Sequence, residues 1–236
     1  TSESEMKFKM TTNDYSISGL EYSVNHGDWK TIPSNGISDI QFGSNKGNLR
    51  LRGKNPNGTA TQASQYSKIS FSSIDTNAKV ACTGDIRTLL DYENYKTVDT
   101  KDARFCHLFE GCKILTSAPE LPTETLATEC YLNMFCDCSS LLKAPELKAE
   151  TLAVNCYLNM FNNCTSLTTA PALKATTLAD HCYFSMFDSC TKLESVTMLA
   201  ADVSASDCLG SWLYNAGTGA TSRTLTVANE DAYNAM

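Results

Sequence analysis

The chain has 236 residues, of which 42% are apolar and 19% are charged, and its net charge is −7. This composition excludes a disordered chain, and the length is sufficient for two small domains. Residues 1–79 carry nine Lys or Arg and seven Asp or Glu, whereas residues 80–236 carry ten and nineteen. We therefore predict two different units. The acidic second unit argues against nucleic acid as a partner, because it repels the phosphate backbone.

The first 76 residues show the alternation of a β-protein. Apolar and polar residues alternate from Met6 to Met10, and Asn25-His26-Gly27-Asp28 separates two further strand-like runs. This period of two indicates half-buried strands, and the polar tetrapeptide predicts a hairpin turn. Six or seven short strands at this spacing predict a small immunoglobulin-like β-sandwich over residues 1–76. The following stretch, Gly84 to Asp91, is predicted as a short helix that covers the start of the next unit.

A gapless repeat of 26 residues occupies the middle of the chain. The four blocks are residues 104–129, 130–155, 156–181 and 182–207. Since one unit cannot bury its own apolar face, stacked units are expected to share a continuous core. The motif Cys-Tyr-x-x-Met-Phe-x-x-Cys places apolar residues at offsets 0, 1, 4, 5 and 8, which fits a helical stripe. It predicts a short helix or tight helical turn from Tyr131 to Cys138, and the following Leu-x-x-Ala-Pro-x-Leu predicts an extended limb.

These patterns together predict an α+β fold class. We expect a leucine-rich-repeat solenoid over residues 77–207, with one short strand and one short helix per coil, after the β-sandwich. Residues 208–236 are interpreted as a capping unit, because the register weakens there and terminal repeats face water. Prolines recur at Pro119, Pro145 and Pro171. Since proline donates no backbone hydrogen bond, they predict very short strands that end near the Ala-Pro step.

Cysteine and phenylalanine repeat in step with the leucines. Such ladders are typical of small or aromatic core side chains, so a structural role is predicted for Cys112, Cys138, Cys164, Cys190, Cys130, Cys156, Cys182, Phe109, Phe135, Phe161 and Phe187. A disulfide between neighbouring rungs remains an alternative. A zinc site at His107, Cys136 and Cys138 is disfavoured, because there is no second ligand pair. No catalytic motif is present, so we predict a protein that is not an enzyme and has no cofactor or metal.

The repeat motif resembles a known family. Cys-Tyr-x-x-Met-Phe-x-x-Cys-x-x-Leu-x-x-Ala-Pro-x-Leu is similar to the BspA-like leucine-rich repeats of Bacteroidetes surface proteins, over roughly residues 80–215. The usual repeat of that family is somewhat shorter and lacks the Ala-Pro step. The resemblance implies a lipoprotein at the cell surface or outer membrane, or a secreted protein, with a small β-domain before the repeats. It also implies adhesion to host or microbial proteins, but no binding residue.

A binding surface is predicted from the limb positions that vary between units. They are Thr116, Ser117, Lys143, Thr168, Thr169 and Glu194. The expected partner is a host extracellular or cell-surface protein, or a glycan. Membrane attachment is expected only through a lipid anchor in a removed segment. Two alternatives remain: a structural spacer or assembly subunit of the cell surface, and a carbohydrate-binding accessory protein that uses exposed aromatics such as Trp212 or Tyr214.

Overall fold

The computed structural model describes residues 1–234, so the last two residues of the expected capping unit lie outside the described residues. The N-terminal part folds into two antiparallel sheets. Their strands are β1 (Met6–Asn13), β2 (Leu20–Val24), β3 (Lys30–Thr31), β4 (Ile37–Phe42), β5 (Leu49–Gly53), β6 (Ala60–Gln62) and β7 (Gln65–Ser72). One sheet has the order β4-β1-β7-β6 and the other β3-β2-β5. The alternation in β1 buries Met6, Phe8 and Met10 between them.

The strands do not pair in the order of an immunoglobulin domain, so the predicted likeness to that fold does not extend to its topology. In that fold the first strand pairs with the second, and the fifth lies between the second and fourth. Here β1 pairs with β4 and β7, while β2 pairs with β3 and β5. Apolar alternation identifies a strand and its buried face, but it carries no information about which strand becomes the neighbour.

The hairpin turn is where the sequence predicts it. Asn25 and His26 both have positive φ angles, 49° and 57°, as the central residues of a type I′ turn do. The Gly27 amide donates to the Val24 carbonyl at 2.9 Å, and β2 then pairs antiparallel with β3.

Regular secondary structure is sparse beyond residue 77. It comprises β8 (Val80–Ala81), β9 (Leu115–Ser117), β10 (Ser195–Met198), β11 (Thr224–Val227) and α1 (Glu230–Asn234). Short 3-10 turns lie at Ser44–Lys46 and Ile86–Leu89. The second of these occupies the predicted helix of residues 84–91, and Asp85 caps it by accepting from the Arg87 amide.

The predicted solenoid with a helix in each coil is also wrong. Only 5% of the chain is helical, and the one α-helix among the described residues is α1, outside the four repeat blocks. The stretch from Tyr131 to Cys138 is a run of turns, and so are its counterparts in the other blocks. The chain is therefore built mostly from small antiparallel sheets and hydrogen-bonded turns.

Left-handed residues explain why the helix does not form. Positive φ angles recur every fourth residue in the turn blocks, as at Glu129 (61°), Asn133 (54°) and Asp137 (60°), and again at Asn155, Asn159 and Asn163. An α-helix requires negative φ at every position, so each of these residues ends it. The apolar offsets 0, 1, 4, 5 and 8 fit this four-residue period as well as they fit a helical period of about 3.6.

Alternate backbone amides in each turn block bond to the next block. Tyr131, Asn133 and Phe135 donate to the carbonyls of Cys156, Leu158 and Met160 at 2.9–3.0 Å. The amides between them close local turns, as Met134 does to Tyr131. The bonds to the next block and the local turns together provide hydrogen-bond partners for the backbone amides of the turn blocks without a helix.

The sheets and the repeat region share one continuous apolar core. The Ile69 amide of β7 donates to the Leu108 carbonyl at 2.7 Å, and Gly58 forms a bridge with Arg104. The domain boundaries at residues 76/77 and 207/208 stay predictions.

The left-handed positions give a first testable consequence at Asn159, whose φ is 53°. Asn159→Ala is expected to destabilise the protein by about 1 kcal/mol, because a Cβ without a local polar group is unfavourable in this conformation. Asn159→Gly should cost less, since glycine adopts positive φ freely. Urea denaturation of the two variants measures the difference, and an alanine variant as stable as the glycine variant would contradict the explanation.

Candidate binding face

The extended limbs that follow the turn blocks expose a continuous surface. We define the limb face as the outward side chains of residues 116–125, 142–151, 168–177 and 194–202. Parallel bridges join the limbs in two pairs: Ser117 with Lys143 and Leu121 with Leu147 join the first to the second, and Thr169 with Ser195 joins the third to the fourth. Among residues 1–234 no bridge joins the second limb to the third. Leu121, Leu147 and Leu173 turn inward, so the outward residues stand on a packed base. In the fourth limb Met198, which bridges Leu173, takes the buried position, and Leu199 is exposed.

A groove crosses the limb face between the first two blocks. Its volume is about 310 Å³, and it lies between residues 117–122 and residues 143–148. Bridges occur on either side of Pro119 and Pro145, and none joins the two prolines. The missing amide donors therefore leave the two limbs unpaired at the position of the groove.

The fourth block provides an internal comparison, because Val196-Thr197 replaces Ala-Pro there. The limb forms the four-residue strand β10, which pairs in parallel with β11. By contrast, β9 in the first block ends at Ser117, before Ala118-Pro119.

The six candidate binding residues fall into two groups. Thr116 and Ser117 are half-buried, and their hydroxyls donate to the carbonyls of Val80 and Cys82 at 3.1 and 2.8 Å. These two side chains therefore tie the first limb to the segment around β8. The exposed members are Lys143, Thr168, Thr169 and Glu194.

Sequence reasoning missed other parts of this face. Leu142 is 58% exposed beside Lys143, and Glu146 with Lys148 lines the groove. Lys174 forms an exposed salt bridge of 2.7 Å with Glu146, across two blocks. The unusual exposure of a leucine is the signal that identifies this part of the surface, and it depends on the fold.

The ladder residues lie in the core. Each of the eleven predicted ladder positions is at most 4% exposed. The thiols of Cys138, Cys164 and Cys190 donate to the carbonyls of Phe109, Phe135 and Phe161 at 3.0–3.1 Å. Every cysteine is a free thiol. These side chains therefore fill space and also bond to the preceding block.

Burial makes these thiols poor nucleophiles. Desolvation raises the pKa of Cys112, Cys130 and Cys190 to about 12, and it also raises that of the half-buried Cys136 to about 12. Because the thiolate is the reactive form, these cysteines are unsuited to covalent catalysis near neutral pH.

The residues of the disfavoured zinc site have other partners. His107 Nδ1 lies 3.1 Å from a Glu110 carboxylate oxygen, and the Cys138 thiol donates to the Phe109 carbonyl at 3.1 Å. In the part of the chain that the structure describes, no group of three or more His, Cys, Asp or Glu side chains is arranged to hold a metal ion.

The aromatic residues considered for glycan binding differ in exposure. Trp212 is buried at 4% exposure, so it offers no stacking surface, whereas Tyr214 is 63% exposed. Tyr131, Tyr157 and Tyr183 are buried in a stack with ring centres 5.9–6.0 Å apart.

Comparison of the chain with protein-family models, with curated proteins and with solved structures gives no match. The resemblance to BspA-like repeats therefore stays a prediction. Among residues 1–234, no helix has the length and apolar character needed to cross a bilayer.

Proposed function

We propose that this protein is a non-catalytic binding protein that contacts another protein through the limb face. The observation that carries the proposal is a set of varied, outward side chains on limbs that are bridged in two pairs over a shared core. A rigid base lowers the entropy lost on binding, and variation from block to block permits specificity. The resemblance to BspA-like repeats supports the same proposal, with an extracellular or cell-surface partner and a surface or secreted location.

The groove and its neighbours supply the chemistry of a protein contact. Leu142 offers an exposed apolar side chain beside a groove floored by Ala144 and Pro145. Lys143 and Glu146, which line the groove, place charges of both signs around it. An apolar centre with a charged rim is typical of surfaces that bind proteins.

The test uses a triple variant of the limb face, Leu142→Asp, Lys143→Glu and Thr169→Glu. Binding of the full chain to an array of extracellular-matrix proteins and glycans is measured at physiological salt. We expect saturable binding of the unmodified chain to a protein and binding at least about tenfold weaker for the variant. The substitutions replace an apolar side chain that the partner would bury, and they reverse the charge at Lys143.

The matched control is Ile74→Asp, since Ile74 is fully exposed and lies outside the limb face. Its binding should equal that of the unmodified chain. If the triple variant also binds normally, the limb face is not the contact surface. If no array member binds and the chain associates with itself in sedimentation experiments, the assembly role replaces the proposal.

A further inference from the structure

A second and larger cavity lies beside β5, on the N-terminal sheets. Its volume is about 570 Å³, within the range of about 300–1,000 Å³ typical of small-molecule sites. We call it the β5 cleft. It is lined by residues of β5, which is an edge strand of the three-stranded sheet, and of β7 in the other sheet.

Apolar side chains from both sheets and from the first repeat block line the interior. Leu49 and Leu51 come from β5, Ile69 and Phe71 from β7, and Phe109 from the first block. This lining suits an aliphatic or aromatic body, since burying such a body in an apolar pocket removes its surface from water.

The entrance carries aromatic rings and cations. The Arg52 guanidinium carbon lies 4.1 Å from the centre of the Trp29 ring and 4.0 Å from that of Tyr92. The Arg50 guanidinium carbon lies 4.9 Å from the centre of the same Trp29 ring. These groups, which also line the cleft, form a positively charged rim around an apolar interior.

The charges on this rim are not all compensated. Arg52 pairs with Glu21 at 2.7 Å, and Lys54 pairs with Asp91 and Glu93. Asp85, the one carboxylate that lines the cleft, pairs with Arg87 at 2.8 Å. Within residues 1–234, Arg50 has no carboxylate within 4.0 Å, and its guanidinium bonds only to the Ser23 hydroxyl, at 3.0 Å.

Two polar atoms at this end of the cleft have no partner in the described part of the chain. They are Arg50 Nε and Asn48 Oδ1, and both are buried. Buried polar groups are normally hydrogen-bonded, so unpaired ones beside a cavity indicate where a polar ligand group is missing.

We propose that the β5 cleft binds a small amphiphilic carboxylate, with its apolar body in the interior and its carboxylate on Arg50. A guanidinium fits a carboxylate through two parallel hydrogen bonds, and of the two arginines on the rim Arg50 is the one without an acidic partner. The cleft meets the limb face at Pro119, which lines both the cleft and the groove, and the proposal does not depend on the proposed function.

The probe for this proposal is decanoate, compared with decanol, which has the same apolar chain without the charge. Binding to the full chain is measured by calorimetry and by the change in tryptophan fluorescence, to which Trp29 in the cleft contributes together with the buried Trp212. We expect decanoate to bind saturably and at least about tenfold more tightly than decanol, because only the carboxylate can pair with Arg50.

The decisive variant is Arg50→Gln, with Lys174→Gln as the control for loss of a positive charge on a distant surface. Arg50→Gln should bind decanoate and decanol equally, whereas Lys174→Gln should keep the preference of the unmodified chain. Circular dichroism confirms that each variant is folded. The proposal is overturned if the unmodified chain binds neither probe, if it binds both equally, or if Arg50→Gln keeps the preference for decanoate.

Discussion

Raising the pH to about 10 is expected to unfold this protein under reducing conditions. Seven ladder cysteines are buried at no more than 3% exposure: Cys112, Cys130, Cys138, Cys156, Cys164, Cys182 and Cys190. Desolvation raises the pKa of each thiol above its ordinary value of 9.0, to about 12 for Cys112 and Cys190. In the unfolded chain the same thiols ionise near their ordinary pKa.

The sign of the effect follows from proton binding. Between the unfolded and the folded pKa, the folded state holds protons that the unfolded state has released, so stability falls as pH rises. Each thiol contributes about 1.4 kcal/mol per pH unit in this window. Seven thiols therefore remove about 10 kcal/mol by about pH 10, which is comparable with the whole stability of a typical domain, about 5–15 kcal/mol. Below the unfolded pKa the full stability is present.

The measurement is the free energy of unfolding in urea, at several values between about pH 7 and about pH 10, with a phosphine reductant present. Cys164→Ala is the matched variant, since it removes one buried thiol from the ladder. Its free energy of unfolding should fall less steeply with pH, by about 1.4 kcal/mol per pH unit, because one fewer thiol contributes to the slope. A stability that stays constant up to about pH 10 would show that the thiols ionise freely in the folded protein.

Truncating the phenylalanine ladder at Phe161 is expected to cost about 3–5 kcal/mol. Phe161 is fully buried, and its ring centre lies 5.7 Å from that of Phe135 and 5.6 Å from that of Phe187. The neighbouring blocks are fixed by backbone hydrogen bonds, such as that from the Phe161 amide to the Met186 carbonyl at 3.0 Å. Phe161→Ala therefore leaves a cavity that the rings on either side cannot close.

Denaturation in urea compares Phe161→Ala with Leu142→Ala. Leu142 belongs to the adjacent limb and is 58% exposed, so its truncation should change the free energy of unfolding by no more than about 0.5 kcal/mol. Phe161→Leu should fall between the two, because it keeps part of the volume. A loss below about 1 kcal/mol for Phe161→Ala would mean that the blocks can move together to fill the space.

Some of the residues of the limb face could be predicted from the sequence, and others could not. Variation between blocks selected Lys143, Thr168, Thr169 and Glu194, which are exposed. It also selected Thr116 and Ser117, whose hydroxyls are used to bond the first limb to Val80 and Cys82. The first limb lies beside the segment around β8, which the other limbs do not contact in the described part of the chain. A comparison of repeats cannot predict such a contact, because it occurs only at the end of the array. The β5 cleft was missed altogether, because Arg50 and Phe109 are far apart in sequence.

The sequence by itself determined the 26-residue period, the buried ladder residues of the repeats, the alternation of β1 and the hairpin at Asn25-His26. These features are local or repeat at a fixed interval, so they can be recognised without knowing which segments meet. Only the tertiary structure decided that the turn blocks are not helical and that β1 lies between β4 and β7. The left-handed residues are stabilised by hydrogen bonds to a block about 26 residues away, as from Asn159 to Phe184. The helix propensity of a segment does not depend on a partner so distant in sequence. The backbone pairing between blocks therefore overrides the helical pattern.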